Sequence, residues 1–417
     1  MKTACPQTLS RLIGSVARPS WLVTSALLVA ACGAASATGS GGRWEAAAPM
    51  SEPRSYHTAT RLQEGSVLLA GGFPGLASAE IYDPLSRRSH AIVSMTTLRF
   101  RHTATLLHDG RVLVLGGMRN TDLQALNSGE VFDPSTQRWT VVAPMSEARG
   151  GQTATLLGDR RILVAGGYPD VASAEIYDPA LNRWFPAGMM STPRYGHTAS
   201  LLTDGRVLVV GGAHGSPTVP INSAEVFDPT SGHWTLTTAM TLGRVDQTAT
   251  TLMNGRVLVV GGYGGAETRP LSSAELWDPA TGRWWPAHRL DIARAFHTAA
   301  MLPDGRVAVV GGIHGSPPSV TASVEIYDPN SGLWSKGVSM SVGGVDQAAA
   351  LLANGDILVT GGTTAQGTAP VRQVEIFSLN VESAANVSRV STVVAIVALA
   401  LAIALAAAVF SRISRAI

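Results

Sequence analysis

Seven Gly-Gly doublets punctuate the chain, at Gly71-Gly72, Gly116-Gly117, Gly166-Gly167, Gly211-Gly212, Gly261-Gly262, Gly311-Gly312 and Gly361-Gly362, in steps of 45, 50, 45, 50, 50 and 50 residues. A fixed period of this size marks a repeat architecture, in which one supersecondary unit recurs and buries its apolar face only against its neighbours. Each doublet closes an apolar run such as Arg206-Val-Leu-Val-Val210. A turn such as Asp204-Gly205 precedes that run, and a stretch such as His197 to Leu202 precedes the turn. After the doublet a loop leads to Glu225-Val-Phe-Asp-Pro229, a second turn, Trp234 and then Met240. Each unit therefore reads as four short strands. The Asp-Gly and Asn-Gly pairs make hairpin turns, because glycine accepts a positive φ. Proline after aspartate ends the third strand, since it has no N–H for the ladder. The tryptophan gives the fourth strand a large apolar face for the neighbouring sheet.

The copies are offset at the ends. The last has Glu375-Ile-Phe377 but no tryptophan strand after it, while Trp44 to Met50 is a fourth strand without its first three. The stray N-terminal strand is expected to complete the last unit and remove an exposed sheet edge. The first unit has Ser89 where the tryptophan belongs. Together these features predict an all-β chain spanning 43–380. A composition of 45% hydrophobic and only 14% charged residues argues against disorder.

The two ends read as targeting segments. Residues 1–31 carry Lys2, Arg11 and Arg18 without an acid, then an apolar run from Trp21 to Ala31, the pattern of a secretory signal. Val29-Ala-Ala-Cys32 resembles a bacterial lipobox, which implies lipidation at Cys32 and a flexible tether over 32–42. Cleavage after Ala35-Ser-Ala37 is the other reading. Residues 390–410 are apolar enough for a transmembrane helix, about 31 Å long against a hydrocarbon core of about 30 Å. A linker over 381–389 precedes that helix and a tail over 411–417, with Arg412 and Arg415, follows it; this places the tail in the cytoplasm and the repeats outside it, in a cell envelope. Between 38 and 380 the chain holds 25 basic and 28 acidic residues, so nothing there suits nucleic acid. The only cysteines, Cys5 and Cys32, lie in or beside the signal, leaving the exported body without disulfide or thiol chemistry.

Four strands per unit at a period near fifty residues resembles the kelch repeat, which builds β-propeller blades. The phrase Leu-Leu-x-Asp-Gly-Arg-Val before Gly-Gly is most similar to bacterial kelch proteins and to the propeller of galactose oxidase-like proteins. The resemblance implies a seven-bladed propeller, plus the C-terminal helix. Tyr56-His57 is similar to the copper-ligand pair of galactose oxidase, but that enzyme also needs a cross-linked cysteine and a further domain that this chain does not supply. No sequence motif requires a metal or another cofactor.

Arg54, Arg99, Arg149, Arg194, Arg244 and Arg294 each lie three residues before the His or Gln that opens a first strand; unit seven has Gly344 there. If the first strands line the axis, six guanidiniums can ring the channel mouth with Asp246 and Asp346, although in kelch repeats such an arginine commonly pairs within its own blade. Between doublet and third-strand glutamate, units one and three have seven residues and the others twelve. Arg119, Asp122, His214, Glu267, Arg269 and His314 in those longer loops are candidate ligand-face residues, because loops on a rigid scaffold carry binding groups. The function read from this is a membrane-anchored binding or scaffolding module for a protein or glycan, with no catalytic residue named. The alternative is a sugar enzyme similar to a sialic-acid mutarotase, which needs acid and base groups converging over the channel.

Overall fold

A computed structural model describes residues 42–119, 122–216, 218–265, 269–364 and 369–379. The expected signal, Cys32 and nearly all of the tether, Glu267, the linker, the transmembrane helix and the tail fall outside the described residues.

Seven four-stranded antiparallel sheets form among the described residues. The fourth sheet shows the pattern, with Thr198–Leu201, Val207–Val210, Ala224–Asp228 and His233–Leu236 pairing in that order. Each first strand lies beside the first strand of the next sheet, and Ala348–Leu351 of the last lies beside Thr58–Arg61 of the first. The result is an all-β propeller whose first strands surround the axis. In the seventh sheet the outer strand is Arg43–Ala46, antiparallel to Val374–Ser378 with Trp44 opposite Phe377.

The second strands are apolar at almost every position because both of their faces are covered. Val207 to Val210 and Val257 to Val260 are fully buried between neighbouring sheets. The core is thus a series of inter-blade layers rather than one central mass. One such layer joins Leu208, Val210 and Met240 of one blade to Val257, Val259 and Trp277 of the next.

Fourth-strand tryptophans tie each blade to the one before. Trp234 packs on Phe227 and donates Nε1–H to Ala187 O at 2.8 Å. Trp139, Trp184, Trp284, Trp334 and Trp44 make the same backward bond, to Val93, Ala143, Thr238, His288 and Val338. Ser89 cannot, and its buried hydroxyl has no partner. The seam between blades seven and one is held instead by Ala48 N–H to Arg87 O and by an Arg87–Glu45 ion pair.

Candidate functional site at the axial mouth

The strut arginines settle how each blade meets the axis. Arg194 is fully buried; its Nη1 donates to Gly211 O and Ser223 O, and its Nη2 lies 2.8 Å from Glu225 Oε1. Glu225 Oε2 in turn accepts the Ser191 N–H, which pins the incoming connection. Arg54, Arg99, Arg149, Arg244 and Arg294 repeat this with Glu80, Glu130, Glu175, Glu275 and Glu325. The expected cationic ring at the channel mouth is therefore corrected. These six guanidiniums are buried inside their own blades, where a charge needs full pairing, and they present none of their charge to the channel.

Two residues beyond each strut, at the entry to each first strand, the chain turns through the left-handed region. Tyr56, Arg101, Gly151, Gly196, Asp246, Phe296 and Asp346 have φ between 51° and 62°. Each N–H bonds the carbonyl of the preceding ring member, from Arg101 N to Tyr56 O at 3.1 Å round to Tyr56 N to Asp346 O at 3.1 Å. A closed belt of seven hydrogen bonds thus rims the axis. It holds a tyrosine, an arginine and a phenylalanine in a backbone region that bulky residues avoid. Because the positions follow the connections from one blade to the next, the belt lies on the face of the long loops.

Inside the belt is a cavity of about 290 Å³, lined by the belt and by the residues that follow it, including His57, His102, Gln152, His197, Gln247 and His297. This floor is more than nine-tenths buried. Its imidazoles reach back to the previous blade, His197 Nε2 to Thr153 Oγ1 at 3.0 Å and His57 Nε2 to Thr360 Oγ1 at 2.8 Å. Burial, reinforced by neighbouring arginines, pushes His102 and His197 down to about 3; burial and Arg294 do the same for His297. The floor imidazoles are therefore neutral. Gln152 and Gln247 donate their amide N–H to Leu115 O and Val210 O, and their Oε1 acceptors have no donor.

The belt's polar side chains form one connected group. Arg101 lies over the Tyr56 ring at 4.3 Å, and its Nη2 donates to the Tyr56 hydroxyl at 3.0 Å. The hydroxyl can in turn donate to Asp346. Gly151 and Gly196 leave their arc of the belt without side chains, and Arg101 reaches across to 4.0 Å from Asp246. Burial pushes Asp346 up to about 7, against the opposing pull of Arg101 and Tyr56, and raises Asp246 as well. Burial likewise raises the Tyr56 hydroxyl above its ordinary range. An arginine–aspartate cluster does occupy the mouth, built by Arg101 rather than by the struts. Asp246, Phe296 and Asp346 come from consecutive blades, so both carboxylates stand on one side of the opening.

Aromatic pairs flank the belt on the same face. Phe73 meets Phe100 edge-on at 5.5 Å, and Tyr168 meets Tyr195 at 5.7 Å. The loop candidates are dispersed around it. Arg119 and Asp122 are exposed on the blade-two loop, and Arg269 is exposed on blade five. His214 and His314 sit in two-residue strands, His314 bonded to Ser319 Oγ at 2.9 Å. His214 and His314 occupy separate blades. A groove of about 510 Å³ beside Arg269 and Arg289 opens between blades five and six. A larger cleft of about 690 Å³ on the turn face is lined by Asp228, His233 and Thr281. Its aspartate already accepts the Thr230 N–H and the Ser231 hydroxyl.

Arg101 and Phe296 were not singled out by the sequence, and Tyr56 stood out only through its similarity to a copper-ligand pair. The available signal was the shared slot two residues after the arginine, filled by Gly151, Gly196, Asp246 and Asp346 in four copies. These are the residue types that tolerate left-handed backbone.

The family model for the Attractin/LZTR1 β-propeller matches residues 81–319, more than half of the chain. No curated protein sequence matches. Among solved structures, a fungal alcohol oxidase of the AA5 family in complex with copper aligns with a TM-score of 0.66 at 20% identity, over 81% of this chain and 76% of that one. This likeness is one of fold. The residues here do not fit that metal: the Tyr56 hydroxyl is engaged by Arg101, while the His57 ring is buried against Thr360. Among the described residues no group of three or more His, Cys, Asp or Glu is placed to hold a metal ion. The chain belongs to the Attractin/LZTR1 β-propeller family, a kelch-type propeller.

Proposed function

We propose that this member of the Attractin/LZTR1 β-propeller family is an envelope-anchored, seven-bladed binding module spanning 43–380, which takes a protein or glycan partner on its long-loop face. The observation that carries the reading is where the repeat is broken. Positions that recur from blade to blade hold the strands, struts and turns together, with departures at Ser89, Gly344 and Gln373, whereas the axial mouth and its loops carry side chains that differ in almost every blade. On the opposite face the aspartates of the Asp-Pro turns accept local N–H groups, as Asp178 does from Ala180. Tyr56 and Arg101 are committed to each other, and Gly151 and Gly196 bring no side chain to face the two carboxylates. That arrangement supports recognition of a ligand rather than acid–base work on it.

The anchor is supported by the apolar run Val393 to Phe410 and by Cys32 at the end of the signal-like segment. Added protease should digest the propeller on intact cells while a tag after Ile417 stays protected, and a fatty-acid label should enter through Cys32. An unlabelled chain starting at Thr38 would remove the lipid and leave export standing. Glycan-array and pull-down screens identify the partner. Its on-rate should fall with salt when Arg119, Asp122, His214, Glu267, Arg269 or His314 is changed, because rim charges act mainly on association. Loss of binding on Thr230→Ala or Thr281→Ala, with the loop set silent, would place the working face on the other side.

A further inference from the structure

We propose that the axial mouth is a socket for one basic side chain, an arginine or lysine of a protein partner, with Asp246 and Asp346 as its counter-ions and Phe296 as the wall between them. The inference rests on the binding reading above and narrows it to a ligand chemistry. Three features converge on it. The first is charge: the belt offers two carboxylates against one guanidinium. Among the described residues the only cation near Asp246 is Arg101, at the limit of ion-pair distance, 4.0 Å, and no hydrogen bond reaches the Asp246 carboxylate.

The second feature is the floor. Gln152 and Gln247 are 5% exposed, line the cavity, and hold acceptor oxygens with no donor. A buried unpaired acceptor is costly, and the group that relieves it must bring N–H or O–H. Guanidinium carries five donors and ammonium three, and neither carries an acceptor. The third feature is the wall. Phe296 lies between the two aspartates in the belt, so a cation held by both carboxylates sits beside an aromatic ring, whose face attracts it. Of the four remaining belt positions, Gly151 and Gly196 have no side chain to recognise hydroxyls, and Tyr56 and Arg101 are bonded to each other. An amino sugar would set its hydroxyl groups against glycine and phenylalanine, whereas the apolar stem of a basic side chain tolerates both.

The groups facing Asp346 are Tyr56, Arg101 and Asp246. With Asp346 pushed up to about 7, its charge is lost as pH falls through neutrality, and the socket weakens with it. Arg101 competes for the same carboxylates, so its loss should strengthen binding, an effect opposite to that of removing a structural residue.

The test is calorimetric titration of the full chain with acetyl-Gly-Arg-Gly-amide, its citrulline counterpart and glucosamine. The arginine peptide should bind at least tenfold more tightly than the citrulline peptide. Asp246→Asn and Asp346→Asn, which keep a residue tolerant of left-handed backbone, should each weaken it tenfold or more without lowering the melting temperature. Arg101→Gln should tighten it. Affinity should drop between pH 8 and pH 6 in the native chain and not in Asp346→Asn. Equal binding of arginine and citrulline peptides, or indifference to both aspartate variants, overturns the socket. Glucosamine binding as tightly as the arginine peptide overturns the assignment to a protein side chain. A partner that still needs the loop face while no arginine peptide binds would sink the socket alone. A partner that needs the turn face would sink the broader reading.

Discussion

Six blades fix their loop-face ends with a buried arginine, and the seventh does the same work with an amide. In blade four Arg194 ties Gly211 O, Ser223 and Glu225 together. In blade seven Gly344 replaces the arginine and Gln373 replaces the serine, and the Gln373 amide donates to Glu375 and to Ser341 Oγ. Glu375 keeps its other task, accepting the Ser341 N–H at 3.0 Å. The strut's function is thus to satisfy a buried carboxylate that organises the connection, and a cation is only one means of doing so. Breaking a buried ion pair is expensive because it leaves a buried charge uncompensated, and the Gln373 amide keeps Glu375 bonded. The seam of blades seven and one also lacks the tryptophan tie, at Ser89.

The largest expected effect comes from making blade four resemble a broken blade seven. Arg194→Gly alone should lose about 3–5 kcal/mol, because it strands a buried carboxylate. Adding Ser223→Gln should recover most of that loss, as Gln373 does in the native seventh blade. Urea denaturation of the single and double variants checks this; a double variant no better than the single would mean that blade seven tolerates its glycine for another reason.

Acid should separate blades by the residue on their floor. An unfolded histidine takes a proton near its ordinary 6.5, whereas burial keeps folded His197 neutral down to about 3. The unfolded chain therefore binds more protons between those values. The stability is fully present above pH 6.5 and is lost as pH falls towards 3. Each such histidine adds up to about 1.4 kcal/mol per pH unit to that slope. His197→Gln copies the native choice of blades three, five and seven, and should leave stability at pH 7.5 nearly unchanged while flattening the decline measured below pH 6.

A smaller effect is expected at the inter-blade ties. Trp234→Phe removes the bond to Ala187 O but keeps an aromatic ring on Phe227, and should cost about 1–2 kcal/mol. Ser89 already lacks that bond, so Ser89→Ala should change the melting temperature by a degree or two at most. A large loss at Ser89 would show that the seam of blades seven and one depends on it.

The strand pattern was legible because its signals recur. Gly-Gly, Asp-Gly, Asp-Pro and tryptophan fall at the same offset in copy after copy, and each has a local backbone reason. The direction of the strut arginines was not legible. A guanidinium three residues before the axis has the reach to face the channel or its own blade, and Glu225 becomes its partner only when the third strand is in place. The belt was half legible. Asp246 and Asp346 stood out as acids outside the repeated positions, but Tyr56, Arg101 and Phe296 share a backbone conformation rather than a residue type. The role of Gln373 was not legible because it depends on Gly344, a residue twenty-nine positions earlier that reaches it only through the blade's folded end.

On the proposed reading, repeated positions hold the propeller while the side chains that vary at its axial mouth bind the partner. Arg194→Met and Asp246→Asn test it most directly, by measuring melting temperature and partner affinity per folded molecule for both. Arg194→Met should melt well below the native chain yet bind normally where it is folded, whereas Asp246→Asn should melt like the native chain and lose at least tenfold in affinity. The reverse assignment, with the strut variant defective in binding and the belt variant defective only in stability, would contradict it.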